Sequence, residues 1–120
     1  MRYVTITRER AKFVGCLAKY ECYLNVNKEV FEQYIERVQE DEHSEDEELN
    51  AFFESLDYVA ISNGKSVSIE IDEQQHELFV ACGPSVSNLQ IIEASSSDVS
   101  YSIKTNYSWT KGIQLTLYVK

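Results

Sequence analysis

Gly112-Ile113-Gln114-Leu115-Thr116-Leu117-Tyr118-Val119 is the stretch that decides the fold class. Ile113, Leu115, Leu117 and Val119 fall on one parity, and Gln114, Thr116 and Tyr118 on the other. A period of two with apolar residues on one face marks a strand half-buried against a core. The rhythm continues upstream through residues 99–103 and 89–92 and through Leu78, Val80 and Cys82, with Gly83-Pro84 as a turn. Asn63-Gly64 stands between two further runs, residues 58–62 and 65–71. Asn-Gly between alternating runs predicts a hairpin, because both residues tolerate positive φ. At the start of the chain, Val4 and Ile6 oppose Thr5 and Thr7. Beyond a turn near residues 9–12, Cys16, Ala18, Tyr20, Cys22 and Leu24 oppose Lys19 and Glu21. These runs predict an N-terminal hairpin and, over the whole chain, a β-sandwich of about seven to eight strands.

Residues 27–57 break the pattern. Val30, Phe31, Tyr34, Ile35 and Val38 follow the 3.6-residue spacing of a helical stripe, and Asn27 is placed to cap it. Ser44 with Glu47 matches a capping box, and Leu49, Phe52, Phe53 and Leu56 form a second stripe. Two amphipathic helices are therefore expected as an insertion between the second and third strands of a single domain spanning residues 1–120. Residues 29–57 hold 12 of the 20 acidic residues and one basic residue, Arg37, a net charge of −11. The rest of the chain has 10 basic against 8 acidic residues, or +2, so the formal net charge of −9 resides in the insertion.

That balance makes nucleic acid and anionic membrane surfaces poor partners and favours a basic protein partner. The candidate partner-binding residues are Glu36, Glu40, Asp41, Glu42, Glu45, Asp46, Glu47 and Glu48. No apolar run approaches the length of a bilayer span, and Met1 leads directly into a strand with no charged-then-apolar leader. Three scattered cysteines, Cys16, Cys22 and Cys82, fit buried thiols in a reducing compartment better than a disulfide framework. A cytoplasmic chain is expected.

Chemical motifs are sparse. His43 lies in the carboxylate-rich turn 41–46, whose spacing does not match a calcium loop. His76 follows Asp72-Glu73-Gln74-Gln75 without a nucleophile motif nearby. Cys16 and Cys22 are six residues apart, wider than a zinc knuckle. Neither catalytic residues nor a metal or other cofactor are expected. Tyr101, Tyr107, Trp109 and Tyr118 gather near the C-terminus and are candidate ligand-stacking aromatics, for instance for glycans. Arg2, Arg8, Arg10, Lys12 and Lys19 make the N-terminal region basic, suited to face the acidic helices.

Several of these stretches resemble small bacterial β-sandwich domains of the PEGA-like kind. They are Val4-Thr5-Ile6-Thr7-Arg8, Phe13-Val14-Gly15-Cys16, Ala18-Lys19-Tyr20, Tyr23-Leu24-Asn25, and Asn63-Gly64-Lys65 with Val67, Ile69 and Ile71. His76-Glu77-Leu78-Phe79-Val80 and Ser87-Asn88 before Leu89-Gln90-Ile91 complete the likeness. It covers the β portions and departs at the acidic helical segment and at Gln75, where a glycine is expected. The resemblance implies an Ig-like or prealbumin-like sandwich without enzymatic activity. The leading expectation is a non-enzymatic protein-interaction domain. A glycan-binding module and an acidic mimic or immunity-type inhibitor of a basic partner are the alternatives. A homodimer through the helices or an edge strand is a further expected arrangement.

Overall fold

A computed structural model describes residues 1–10, 18–40 and 47–120. Cys16, Lys12 and the acidic turn Asp41, Glu42, His43, Ser44, Glu45 and Asp46 lie outside the described residues. Within them the chain is mainly β and runs β1 (Arg2–Arg8), β2 (Tyr20–Leu24), α1 (Lys28–Glu40), α2 (Glu47–Glu54), β3 (Val59–Ile61), β4 (Ser66–Ile71), β5 (His76–Cys82), β6 (Ser85–Val86), β7 (Gln90–Ile92), β8 (Val99–Ser108) and β9 (Gly112–Val119). Among the described residues no helix is long and apolar enough to cross a membrane.

The strands form two sheets. One has the order β4-β1-β8-β9; the other has the order β3-β2-β5-β6, with β7 also on β5. β1 runs parallel to β8, and every other described pairing is antiparallel. The period-two faces explain how the sheets meet. Val4, Ile6, Ile71, Tyr101, Ile103, Leu115 and Leu117 from the first sheet share one apolar core with Tyr20, Cys22, Ile61, Leu78, Val80 and Ile92 from the second.

Two expected pairings are corrected. β1 and β2 belong to different sheets, and so do β3 and β4. Asn63-Gly64 does make a tight turn, closed by the Lys65 amide on the Ser62 carbonyl (3.0 Å). Of the two residues only Gly64 (φ +72°) takes the left-handed backbone. The turn hands the chain from one sheet to the other instead of joining neighbours. Turn chemistry specifies a local reversal, whereas the lateral partner is decided by core packing. β4 therefore pairs along β1, with Arg2 opposite Ile71 through Thr7 opposite Ser66.

The helices cover the outer face of the β2–β5 sheet. Tyr23, Phe79 and Ala81 point out of that sheet and meet Phe31, with Ile35, Phe52, Phe53 and Leu56 packed around them. Rings carry much of this contact. Tyr23 and Phe79 are stacked at 5.2 Å, Phe31 lies 4.9 Å from Tyr23 and 5.1 Å from Phe79, and Tyr34 stacks on Phe52 at 4.0 Å. Such pairs add about 0.5–1.5 kcal/mol each beyond area burial. Asn27 caps α1 by accepting the Val30 amide at Oδ1 (3.1 Å). Val38, expected in the apolar stripe, is exposed instead, because the stripe meets the sheet through Phe31 and Ile35 and the last turn extends past it.

Side chains guard the edge strand β9. The Asn88 amide group both donates to the Leu117 carbonyl (2.9 Å) and accepts the Leu117 amide (2.8 Å), and Gln90 Nε2 donates to the same carbonyl (2.8 Å). Ser85 Oγ donates to the Ile113 carbonyl (2.7 Å). Occupied backbone groups of this kind blunt edge-to-edge pairing.

Candidate functional site

Catalytic sites concentrate buried polar and titratable groups. Arg2 and Arg8 flank Val4 and Ile6 on the inward parity of β1 and are 1% and 0% exposed, which corrects their assignment to a basic surface. Among the N-terminal basic residues, Arg10 and Lys19 remain exposed. The Arg2 guanidinium donates to four backbone carbonyls: Asp72 (3.1 Å), Gln74 (2.9 Å), Glu93 (2.8 Å) and Ser97 (3.3 Å). Arg8 donates to the carbonyls of Ala18 (2.6 Å) and Ile61 (3.1 Å), and its guanidinium lies 3.4 Å from the Tyr20 ring centroid. The two arginines thus tie β1 to loops and strands on both sides of the core.

His76 belongs to the same polar end of the fold. Its Nδ1 accepts from Asn25 Nδ2 (2.8 Å) and its Nε2 donates to Asp72 Oδ1 (2.7 Å). The Asn25 orientation follows from its Oδ1, which accepts the Glu77 amide (2.9 Å). Asn25 holds a left-handed backbone (φ 59°), a conformation this residue type tolerates. Asp72 is held below the usual carboxylate range, first by the Gln74 amide and then by His76. Both imidazole nitrogens are therefore spent on fixing the β2 exit and the β4–β5 connection.

The described thiols are not activated. Burial pushes Cys22 up to about 12. Cys82 is also raised, by burial above all, with Arg8 opposing. Among the described residues, no three His, Cys, Asp or Glu side chains converge as a metal site.

A second arrangement lies at the surface. Glu29, Glu32 and Glu36 stand on successive turns of α1, so the i, i+3, i+7 spacing aligns them along one side of the helix. With Lys28, Gln33 and Leu89 they line a groove of about 410 Å³. Lys28 is ion-paired with Glu32. Glu32 and Glu36 also border an adjoining recess of about 260 Å³, whose other walls are Ile35, Pro84 and Val86. Leu89 and its neighbour Ile91 are exposed at this edge of the sheet. The groove therefore pairs a row of carboxylates with apolar surface.

Of the acidic residues expected to bind a partner, Glu36 lines the groove. Glu47 is exposed at the start of α2. Glu40 closes α1 and Glu48 lies in the first turn of α2. Glu29 and Glu32 share helical spacing with Glu36, a signal that the denser acidic run after them obscures. Pro84, Val86 and Leu89 carry no sequence signal linking them to α1.

The four candidate aromatics do not form one platform. Tyr101 is buried in the core, because it shares the inward parity of Ile103. Tyr118 lies on the opposite parity of β9, pairs with Ser102, and donates its hydroxyl to Glu9. That bond pushes its phenol up. Tyr107 and Trp109 remain together at the β8–β9 tip, with ring centroids 6.3 Å apart.

No family model, no curated protein and no solved structure matches this chain.

Proposed function

We propose that this chain is a non-enzymatic interaction domain of a bacterial cytoplasmic protein. On this reading it engages a basic, partly apolar protein segment in the groove between α1 and the β6–β7 edge. The observation that carries the reading is the row of Glu29, Glu32 and Glu36 facing exposed Leu89 across about 410 Å³. Carboxylates steer a basic partner, and the apolar wall gives it area to bury. An acidic mimic or immunity-type inhibitor would use the same surface against a basic active site. The glycan alternative is less favoured, since its aromatics are divided between the core, the outer sheet face and the hairpin tip.

The odd number and scattered placement of Cys16, Cys22 and Cys82 support a reducing compartment. The two facing sheets and their shared core support an Ig-like or prealbumin-like sandwich of PEGA-like kind, with the helices as its insertion.

Deleting residues 28–56 would uncover Tyr23 and Phe79, so the test uses surface substitutions. The probe is a labelled peptide of alternating lysine and leucine, followed by fluorescence anisotropy. Binding to the wild type should weaken steeply with salt. The triple variant Glu29→Lys, Glu32→Lys, Glu36→Lys should lose at least about tenfold in affinity, a change of about 1.4 kcal/mol. The variant Glu54→Lys, Glu70→Lys, Glu73→Lys changes net charge equally at exposed sites away from the groove. Equal losses in the two variants would reduce the effect to net charge and overturn the reading.

A further inference from the structure

The β8–β9 hairpin has the opposite character to the α1 groove. Residues 99–120 hold three lysines, Lys104, Lys111 and Lys120, and no acidic residue. Among the described residues β1 accompanies β8 only as far as Ile103, while the β8–β9 ladder continues to Ser108 opposite Gly112. Trp109, Thr110 and Lys111 form the tip. Gly112 closes it in a left-handed backbone (φ +70°) that a side chain would strain. Trp109 is 93% exposed, with Tyr107 packed edge-on beside it. A large ring held out in water on a two-stranded finger, next to a lysine, is a surface suited to burial against another protein.

The finger and the groove adjoin on the molecule. Ser85 Oγ donates to the Ile113 carbonyl, next to Gly112 at the tip end of the ladder, and the next residues on either side of Ser85, Pro84 and Val86, wall the recess beside Glu32 and Glu36. At roughly 3.3 Å per residue, Trp109, two residues past the Tyr107–Ile113 pair, stands on the order of 7 Å beyond that bond. Adjacent, complementary elements of this kind suit a two-fold arrangement in which each copy supplies both. Strand-to-strand pairing through β9 is opposed by the side chains already bonded to Leu117 and Ile113.

We propose that the occupant of the groove is the Trp109 fingertip of a second copy, exchanged reciprocally in a two-fold dimer. The indole lies against Leu89 and the recess by Pro84 and Val86, and Lys104 and Lys111 face Glu32 and Glu36. This inference rests on the groove reading above and names its partner.

Sedimentation velocity of the full chain tests it. The wild type should form a dimer that weakens with salt. Trp109→Ala should raise the dissociation constant at least about tenfold, as loss of a buried aromatic anchor does. Lys104→Glu with Lys111→Glu makes finger and groove both acidic, and Glu32→Lys with Glu36→Lys makes both basic, so each double variant alone should be monomeric. Mixed in equal amounts, the two should dimerise, because both interfaces then pair opposite charges. A wild type that stays monomeric, a Trp109→Ala protein that dimerises like wild type, or a mixture that stays monomeric would overturn the dimer. The groove reading fails separately, if the Glu29, Glu32, Glu36 variant keeps full binding of the lysine-leucine peptide.

Discussion

Arg2→Met lowers the unfolding free energy by about 3–5 kcal/mol, read as a fall in the urea midpoint at unchanged slope. Methionine fills a similar volume and carries no donor. The carbonyls of Asp72, Gln74, Glu93 and Ser97 then lose the guanidinium that satisfies them in a site where Arg2 is 1% exposed. Leaving a buried acceptor unpaired costs about 1–3 kcal/mol, and partial access of water to the loops keeps the total below the sum. Buried ion pairs are often replaced by apolar residues at little cost, but the partners here are backbone groups that remain in place after the substitution. Arg2→Lys should recover only part of the loss, because an ammonium cannot reproduce the planar fork. Arg10→Met, at an exposed position, should change stability by less than about 0.5 kcal/mol. Equal effects at Arg2 and Arg10 would contradict the clamp.

Phe31→Ala costs about 3–5 kcal/mol, the range for truncating a buried aromatic. Phe31 is 2% exposed and touches rings from both partners of the helix layer: Tyr23 and Phe79 on the sheet and Phe53 on α2. Helices of 13 and 8 residues are marginal in isolation and depend on docking. The same variant should therefore lose helical circular dichroism at denaturant concentrations where the wild type retains it. Val38→Ala, on the same helix but exposed, should be close to neutral. A Phe31 effect no larger than that of Val38 would mean that the helix layer does not depend on this stripe.

Strand parity was legible wherever one face is buried. Val4 and Ile6, Leu115 and Leu117, and Leu78 and Val80 all face the core as their spacing predicts. The α1 cap at Asn27 and the stripe positions Phe31, Ile35, Phe52, Phe53 and Leu56 were legible for the same reason, since local geometry dictates them. Extending the β1 period from Val4 and Ile6 to positions 2 and 8 points Arg2 and Arg8 inward, where their charge argues against burial until carbonyl partners from distant loops are known. Tyr101 follows the same rule: its aromatic neighbours suggest a surface cluster, but it alternates in step with Ile103 and is buried with it. Sheet membership was not legible. The same Asn-Gly turn serves a hairpin or a crossing between sheets, and the long β1–β4 ladder decides between them. The groove lay further from view, because Glu29, Glu32 and Glu36 meet Pro84, Val86 and Leu89 only after the helices dock.

The most direct test of the groove as the interaction surface is an amide chemical-shift titration of the full chain with the lysine-leucine peptide. The account predicts shifts concentrated at residues 28–37 and 84–91, disappearing in the Glu29→Lys, Glu32→Lys, Glu36→Lys variant. Shifts centred instead on the outer face of the four-stranded sheet, around Thr5 and Ser68, or spread evenly over the acidic residues, would contradict it.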